Sequence, residues 1–180
     1  KDIALKELSK VEEMINNCYT GKIDEKNIFF NLCKTISKYN LQKEDFQKLI
    51  QSNYQDLNKK RYRDFDELIN YCKLSANPVG SMVLRIFGEY NDANLILSNQ
   101  ICTGLQLINF IQDINRDSKL DRIYVPLDEL NKFGVNEEDI LHENSTEEFI
   151  EMIKFQCERS KNIINNGKSL VSNLHGSKRI

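Results

Sequence analysis

Proline and glycine are scarce in this chain. Two prolines and seven glycines in 180 residues leave little material for a turn-rich β-architecture and favour long uninterrupted elements. An excess of either charge is also missing. Lys and Arg number 25 against 27 Asp and Glu, a formal net charge of −2. The only basic run is Lys59–Arg63, so a nucleic-acid partner is excluded. Five cysteines (Cys18, Cys33, Cys72, Cys102, Cys157) are scattered without any CxxC spacing. That pattern argues against a disulfide framework or a zinc site, and reduced, mostly buried thiols are expected. No apolar run is long enough to span a bilayer. The most apolar stretch, Ile101–Ile111, is interrupted by Thr103, Gln106 and Asn109. With no signal peptide recognisable, a cytoplasmic location is expected, with contact at a membrane surface left open. The chain starts at Lys1 rather than Met and stops in the polar run His175–Ile180, which reads as a fragment.

What is present is helical periodicity. The length suits one domain with a real core. Apolar residues recur at helical spacing over 3–18, 25–39, 43–56, 64–75, 79–89, 92–118 and 146–173. Ser145 followed by Glu148 reads as a capping box, and Asn91 or Asp92 as the cap of the long helix. The stretch Ser75–Gly80, with Pro78, must interrupt helical geometry. Segment 119–126 reads as extended. No segment alternates as a strand would, so the fold class is all-α, an antiparallel helix bundle.

The long helix carries a polar stripe. With Gln106 at 0° and about 100° per residue, Asn109 falls near −60°, Asp113 near −20° and Asp117 near +20°. Ile101, Leu105, Leu107, Ile108, Phe110, Ile111 and Ile114 fill the rest of the circumference. A helix apolar on nearly all sides is buried, so its stripe faces a cavity or partners. Asp113 and Asp117 repel at i, i+4, and the dipole at a helix C-terminus disfavours both. A divalent cation such as Mg²⁺ would compensate, with Lys119 and Arg122 placed to hold a leaving diphosphate. The alternative is a pair of solvated acids at a fraying helix end, paired with Arg116 or Lys119. Periodicity leaves both open.

The run Leu105–Asp117 followed by Asp121–Pro126 reads NxxxDxxxD, a short gap, then RxYxP. It resembles the second aspartate-rich motif of squalene and phytoene synthases. Upstream, Tyr71–Gly80 is similar to the YCxxxAxxVG segment of that family, in the right order and at the right separation. The resemblance implies the class I isoprenoid synthase fold, packed antiparallel helices around a central cavity, with Mg²⁺ as cofactor. It implies that Asn109, Asp113 and Asp117 hold metal, with Asp113, Asp117, Tyr71 and Gln106 as the catalytic set. Gln106 would line the cavity near the reacting carbons, and Arg122 and Tyr124 would contact diphosphate. Gln112 falls at a substrate-binding position where some relatives carry Arg. Tyr71, Ser75, Ala76, Val79 and Gly80 would shape the prenyl pocket, unless that stretch is simply small residues at a helix crossing.

Ser-Ala-Asn-Pro-Val-Gly at 75–80 and Gln-Asp at 112–113 look most like the bacterial hydroxysqualene synthase branch, which belongs to hopanoid biosynthesis. That branch implies conversion of presqualene diphosphate to hydroxysqualene by ionisation, rearrangement and water quench. Alternatives are head-to-head condensation of two prenyl diphosphates, starting from farnesyl diphosphate or a longer homologue, and a non-catalytic assembly protein of the same fold. Residues 1–180 would be the central part of a single synthase domain. The first aspartate-rich motif would precede Lys1 and the C-terminal end would follow. Half the metal site would then be missing, and the chain alone is expected to be inactive.

Overall fold

A computed structural model describes residues 1–142 and 144–175; the terminal run 176–180 lies outside the described residues. Among them there are eleven helices and no strand, as the periodicity predicts. They are α1 (Asp2–Thr20), α2 (Phe30–Tyr39), α3 (Lys43–Asp56), α4 (Phe65–Ser75), α5 (Asn77–Ile86), α6 (Asp92–Gln112), α7 (Ile114–Ser118), α8 (Leu127–Phe133), α9 (Glu137–Leu141), α10 (Glu147–Asn166) and α11 (Leu170–Asn173). None of the described helices is long and apolar enough to cross a membrane.

The boundaries follow local chemistry. Asp64 caps α4 by accepting from Glu67 N, and Asn91 caps α6 by accepting from Asn94 N. The cap of α10 is Thr146, which accepts from Phe149 N, rather than the Ser145–Glu148 box expected. The helix starts one residue later than that box requires. The second helix begins at Phe30, not at 25. Asp24 and Asn27 each accept a backbone N–H two residues on, an alternative to helix that short polar side chains offer. Around Pro78 the interruption shrinks to one residue, Ala76 (φ −121°, ψ −47°). Pro78 sits in the first turn of α5, where its missing N–H costs nothing. Gly88 (φ 68°) ends α5 early, with Glu89 N bonded back to Leu84 O at 2.8 Å.

Three apolar clusters hold the bundle. Tyr62, Leu68, Tyr71, Cys72, Leu107, Phe110 and Tyr124 form the first. Ile123, Val125, Leu130, Val135, Ile140 and Met152 form the second, under α8 and α9. The third, around Cys18, Ile36 and Leu41, joins α1 and α2 and reaches Phe46 of α3 and Met82 of α5. Helices α6 and α10 make the most extensive contact, and two glycines allow it. A Cβ on Gly104 would lie 2.5 Å from Ile164 Cγ1 and 2.9 Å from Ser160 O; one on Gly167 would lie 2.6 Å from Leu97 O.

The cysteine reading needs correction. Cys18 and Cys33 are joined by a disulfide, because the α1–α2 turn brings residues 15 apart to a Cα separation of 4.9 Å. Of the free cysteines, Cys72 is buried, Cys102 partly so, and Cys157 is exposed.

Candidate metal and diphosphate site

The stripe lies where α6 ends. Gln112 is the last, exposed residue of α6, and Asp113 (φ −93°, ψ 7°) breaks the helix before α7, so 92–118 is not one helix. The break does not scatter the stripe. Asp113 N still bonds Asn109 O at 2.9 Å and Asp117 N still bonds Asp113 O at 2.8 Å. Successive i, i+4 bonds keep all three side chains on one face.

Asp113 accepts from Asn109 Nδ2 at 3.1 Å and pairs with Arg116 Nη2 at 2.7 Å. Arg116 therefore does not point away from the stripe, and the pairing weighed in the solvated-acid alternative is present. Asp117 is different. It is only 7% exposed, and among the described residues no donor reaches its carboxylate. Burial pushes its pKa up; Arg122 and Arg116 oppose the shift, while Asp113 and Asp56 add to it.

The opposite wall comes from the chain after α7. Segment 122–127 runs along 60–63, with Ile123 N on Lys60 O at 3.0 Å and Leu127 N on Tyr62 O at 2.8 Å. This presents Arg122 and Tyr124 to the end of α3. Tyr71 donates to Asp56 Oδ2 at 2.9 Å, Tyr124 to Oδ1 at 3.5 Å, and Arg122 Nη2 to the Asp56 carbonyl at 3.2 Å. Tyr124 stacks on Phe110 at 4.0 Å and on Tyr62 at 5.5 Å. Burial, with the Asp56 charge contributing, holds the Tyr71 hydroxyl far above its ordinary pKa and pushes Tyr124 up to about 12. Both are O–H donors at neutral pH. Arg122 Nε is buried without an acceptor.

Asp56 is the residue that sequence reasoning missed. One signal pointed to it: an acid at the C-terminus of a helix with no basic residue in its last turn. Of the residues singled out from sequence, Asn109, Asp113, Asp117, Tyr71, Arg122 and Tyr124 gather around this end of α6. Gln106 is half-buried three residues before Asn109. The Ser75–Gly80 stretch lies apart from them. Ser75 donates to Tyr71 O, Ala76 is buried, and Gly80 is pressed against Ser98 and Cys102; Val79 is exposed.

Among the described residues no three His, Cys, Asp or Glu side chains cluster as a complete metal site. Two carboxylates and the Asn109 amide oxygen are nonetheless hard donors of the kind Mg²⁺ takes, since it keeps waters and adds phosphate oxygens. The Asp117 carboxylate, without a protein donor among the described residues, fits such an ion.

Comparison with known proteins bears on the family and the fold. The chain is 35% identical over 120 residues to a hydroxysqualene synthase of Sinorhizobium fredii, covering 66% of this chain and 41% of that protein. It is 33% identical over 154 residues to the chloroplastic phytoene synthase 2 of Oryza sativa, covering 82% of this chain and 39% of that protein. It thus spans about two fifths of the length of these relatives. The crystal structure of squalene synthase HpnC from Alicyclobacillus acidocaldarius superimposes with a TM-score of 0.90 at 35% identity, over 97% of this chain and 65% of that one. A dehydrosqualene synthase shares the fold, with a TM-score of 0.87 at 17% identity, over 93% of this chain and 59% of that one. The squalene/phytoene synthase profile matches residues 1–180 throughout, and this chain belongs to the squalene/phytoene synthase family.

Proposed function

We propose that the chain forms the second-carboxylate half of a Mg²⁺-dependent synthase that converts presqualene diphosphate to hydroxysqualene. The observation that carries the reading is the buried Arg122 Nε–H, left without an acceptor beside the poorly exposed Asp117, whose carboxylate has no protein donor among the described residues. A metal-bound diphosphate would give Arg122 its acceptor and Asp117 its counter-charge.

In this reading Asp113, Asp117 and the Asn109 amide oxygen hold the cation, and Arg122 turns its Nε–H to a diphosphate oxygen. Bound there, Mg²⁺ would supply the positive charge that neutralises the departing diphosphate. Arg116, released from Asp113, offers a second cation to the same group. The C–O bond to diphosphate breaks heterolytically, the electron pair leaving with diphosphate. Rearrangement opens the cyclopropane ring, and water adds to the cation and loses a proton. Tyr71 and Tyr124 stay protonated and keep Asp56 in place, while Gln106 faces the reacting carbons. Gln112 contacts the diphosphate end, and Ser75, Ala76, Val79 and Gly80 form the prenyl wall. An apolar substrate of this kind would be taken up at a membrane surface.

Head-to-head condensation of two prenyl diphosphates is the second reading, favoured by the longer stretch of this chain that plant phytoene synthases match. The complete protein, with the rest of the metal site, is given Mg²⁺ and presqualene, farnesyl or geranylgeranyl diphosphate, and mass spectrometry of the products separates the two. Hydroxysqualene supports the first reading. Presqualene diphosphate, or a dehydro or phytoene-type product formed from farnesyl or geranylgeranyl diphosphate, supports the second. No product from a folded protein points to the non-catalytic relative. Asp113→Asn should lower turnover by roughly a hundredfold with folding kept, and near-normal turnover would remove Asp113 from the metal set.

A further inference from the structure

We propose that Cys18–Cys33 is a reversible thiol–disulfide exchange site, addressed by a dithiol reductant, whose state sets how firmly the α1–α2 corner supports α5. Three observations meet here. The bond ties α1 to α2, and α2 packs chiefly on α1, so it is the covalent clasp of a corner with few other holds. The sulfurs border an open groove of about 400 Å³ lined by Cys18, Cys33, Phe30, Lys34 and Ser37, which leaves a path for an attacking thiolate. The corner is also not isolated. Cys18, Ile36 and Leu41 pack with Phe46 of α3 and Met82 of α5, and Tyr19 donates to Leu41 O at 2.8 Å.

The two sulfurs are not equivalent. Cys33 is half-buried and faces the groove, while Cys18 is 9% exposed. Lys34, its Nζ 4.2 Å from the Phe30 ring centroid, places a cation on the groove wall, where it favours an approaching thiolate. The dithiol's thiolate attacks Cys33 Sγ, the S–S bond breaks, and Cys18 leaves as thiolate and takes a proton. The second thiol of the reductant then attacks the mixed disulfide and releases Cys33. Two electrons and two protons pass to the protein, and the dithiol becomes a disulfide. The Cys18 thiol so formed has the Phe29 carbonyl 3.9 Å from its sulfur as an acceptor. Met82 lies between Ser81 and Val83 on the helix that carries Val79 and Gly80, so loosening the corner loosens that wall.

The test uses the complete protein, quenched with an alkylating agent before denaturation and digested with trypsin. The expected result is peptides 11–22 and 27–34 joined through Cys18 and Cys33. Native treatment with dithiothreitol should separate them, with Cys18 the first thiol set free and Cys33 still in mixed disulfide with dithiothreitol at the earliest quench. Amide exchange over 21–41 and 79–86 should then speed up several-fold while 105–124 stays as before. Cys33→Ser should reproduce the fast exchange and be indifferent to dithiothreitol. Free Cys18 and Cys33 in unreduced protein would overturn the proposal. A linked pair that dithiothreitol opens only after denaturation would also overturn it, as would reduction without any change in exchange over 79–86. None of these readouts uses turnover, so failure of the proposed reaction would leave them intact.

Discussion

Replacing Gly104 by alanine tests the contact that sets the position of α6, the helix that carries Asn109. The new methyl would lie 2.5 Å from Ile164 Cγ1, 2.9 Å from Ser160 O and 3.1 Å from Ile164 N. Carbon atoms in contact prefer about 3.5–4.0 Å, so the first overlap is about 1–1.5 Å. Ile164 can swing aside, but the other two atoms are backbone of α10, and relieving them needs the helices to part. Overpacking of this kind costs about 1–3 kcal/mol, and backbone on one side puts this case in the upper half of that range. Alanine returns about 1 kcal/mol of helix propensity at a mid-helix glycine. The net loss is about 1–2 kcal/mol, or roughly 2–8 °C in melting temperature for a protein of this size. Differential scanning calorimetry on the purified protein reads this directly. Gly80→Ala is the comparison, because its added methyl meets only the ends of the Ser98 and Cys102 side chains, which can turn; it should lose less. Since α6 also carries Asn109, a shift of α6 should lower Mg²⁺-dependent turnover about tenfold or more at temperatures where the variant is folded. A Gly104→Ala protein that melts at or above the parent, with α6 and α10 still in contact, would refute the packing argument.

Asp56→Asn keeps the shape but turns charge-assisted bonds from Tyr71 and Tyr124 into neutral ones. Turnover should fall at least about tenfold for a stability loss of about 1 kcal/mol, and unchanged kinetics would make Asp56 a packing residue only. Asp117→Asn removes a charge that burial disfavours, so the metal-free protein should melt no lower than the parent while the Mg²⁺-induced rise in melting temperature disappears; a retained rise would place the ion elsewhere. Tyr19 and Tyr124, both pushed up to about 12 mainly by burial, contribute stability that is fully present below pH about 10 and lost as pH rises towards 12; tyrosinate absorbance should appear together with loss of helical circular dichroism, and early ionisation in a still-helical protein would contradict their burial.

The fold class and most helix starts were legible because apolar spacing needs only ten or more residues to declare itself. Helices α8 and α9 were not, since seven and five residues are too few for a period to show. The stripe survived an error in the helix that carries it. Nothing at Asp113 signals a break, neither glycine nor proline, and the i, i+4 bonds run through it, so the angular arithmetic held while the helix count did not. The disulfide went unread for another reason: scattered cysteines without CxxC spacing carry no pairing signal along the chain. Asx turns at Asp24 and Asn27 set the short return that brings it to Cys18.

Asp56 shows where reading along the chain stops. The dipole argument that made Asp113 and Asp117 suspicious applies to it equally, yet its meaning depends on Tyr71, Arg122 and Tyr124, 15, 66 and 68 residues away. Helical periodicity relates residues within one element. The extended segment that lays Arg122 and Tyr124 against α3 is fixed by backbone bonds to 60–63, which no periodicity encodes. The arrangement has a physical consequence. Asp56 and Arg122 both act on Asp117, in opposite directions, so the carboxylate is held between a cost and a compensation rather than neutralised by a direct partner. A cation bound at Asp117 would offset the burial cost that raises its pKa, which is what the proposed metal site requires.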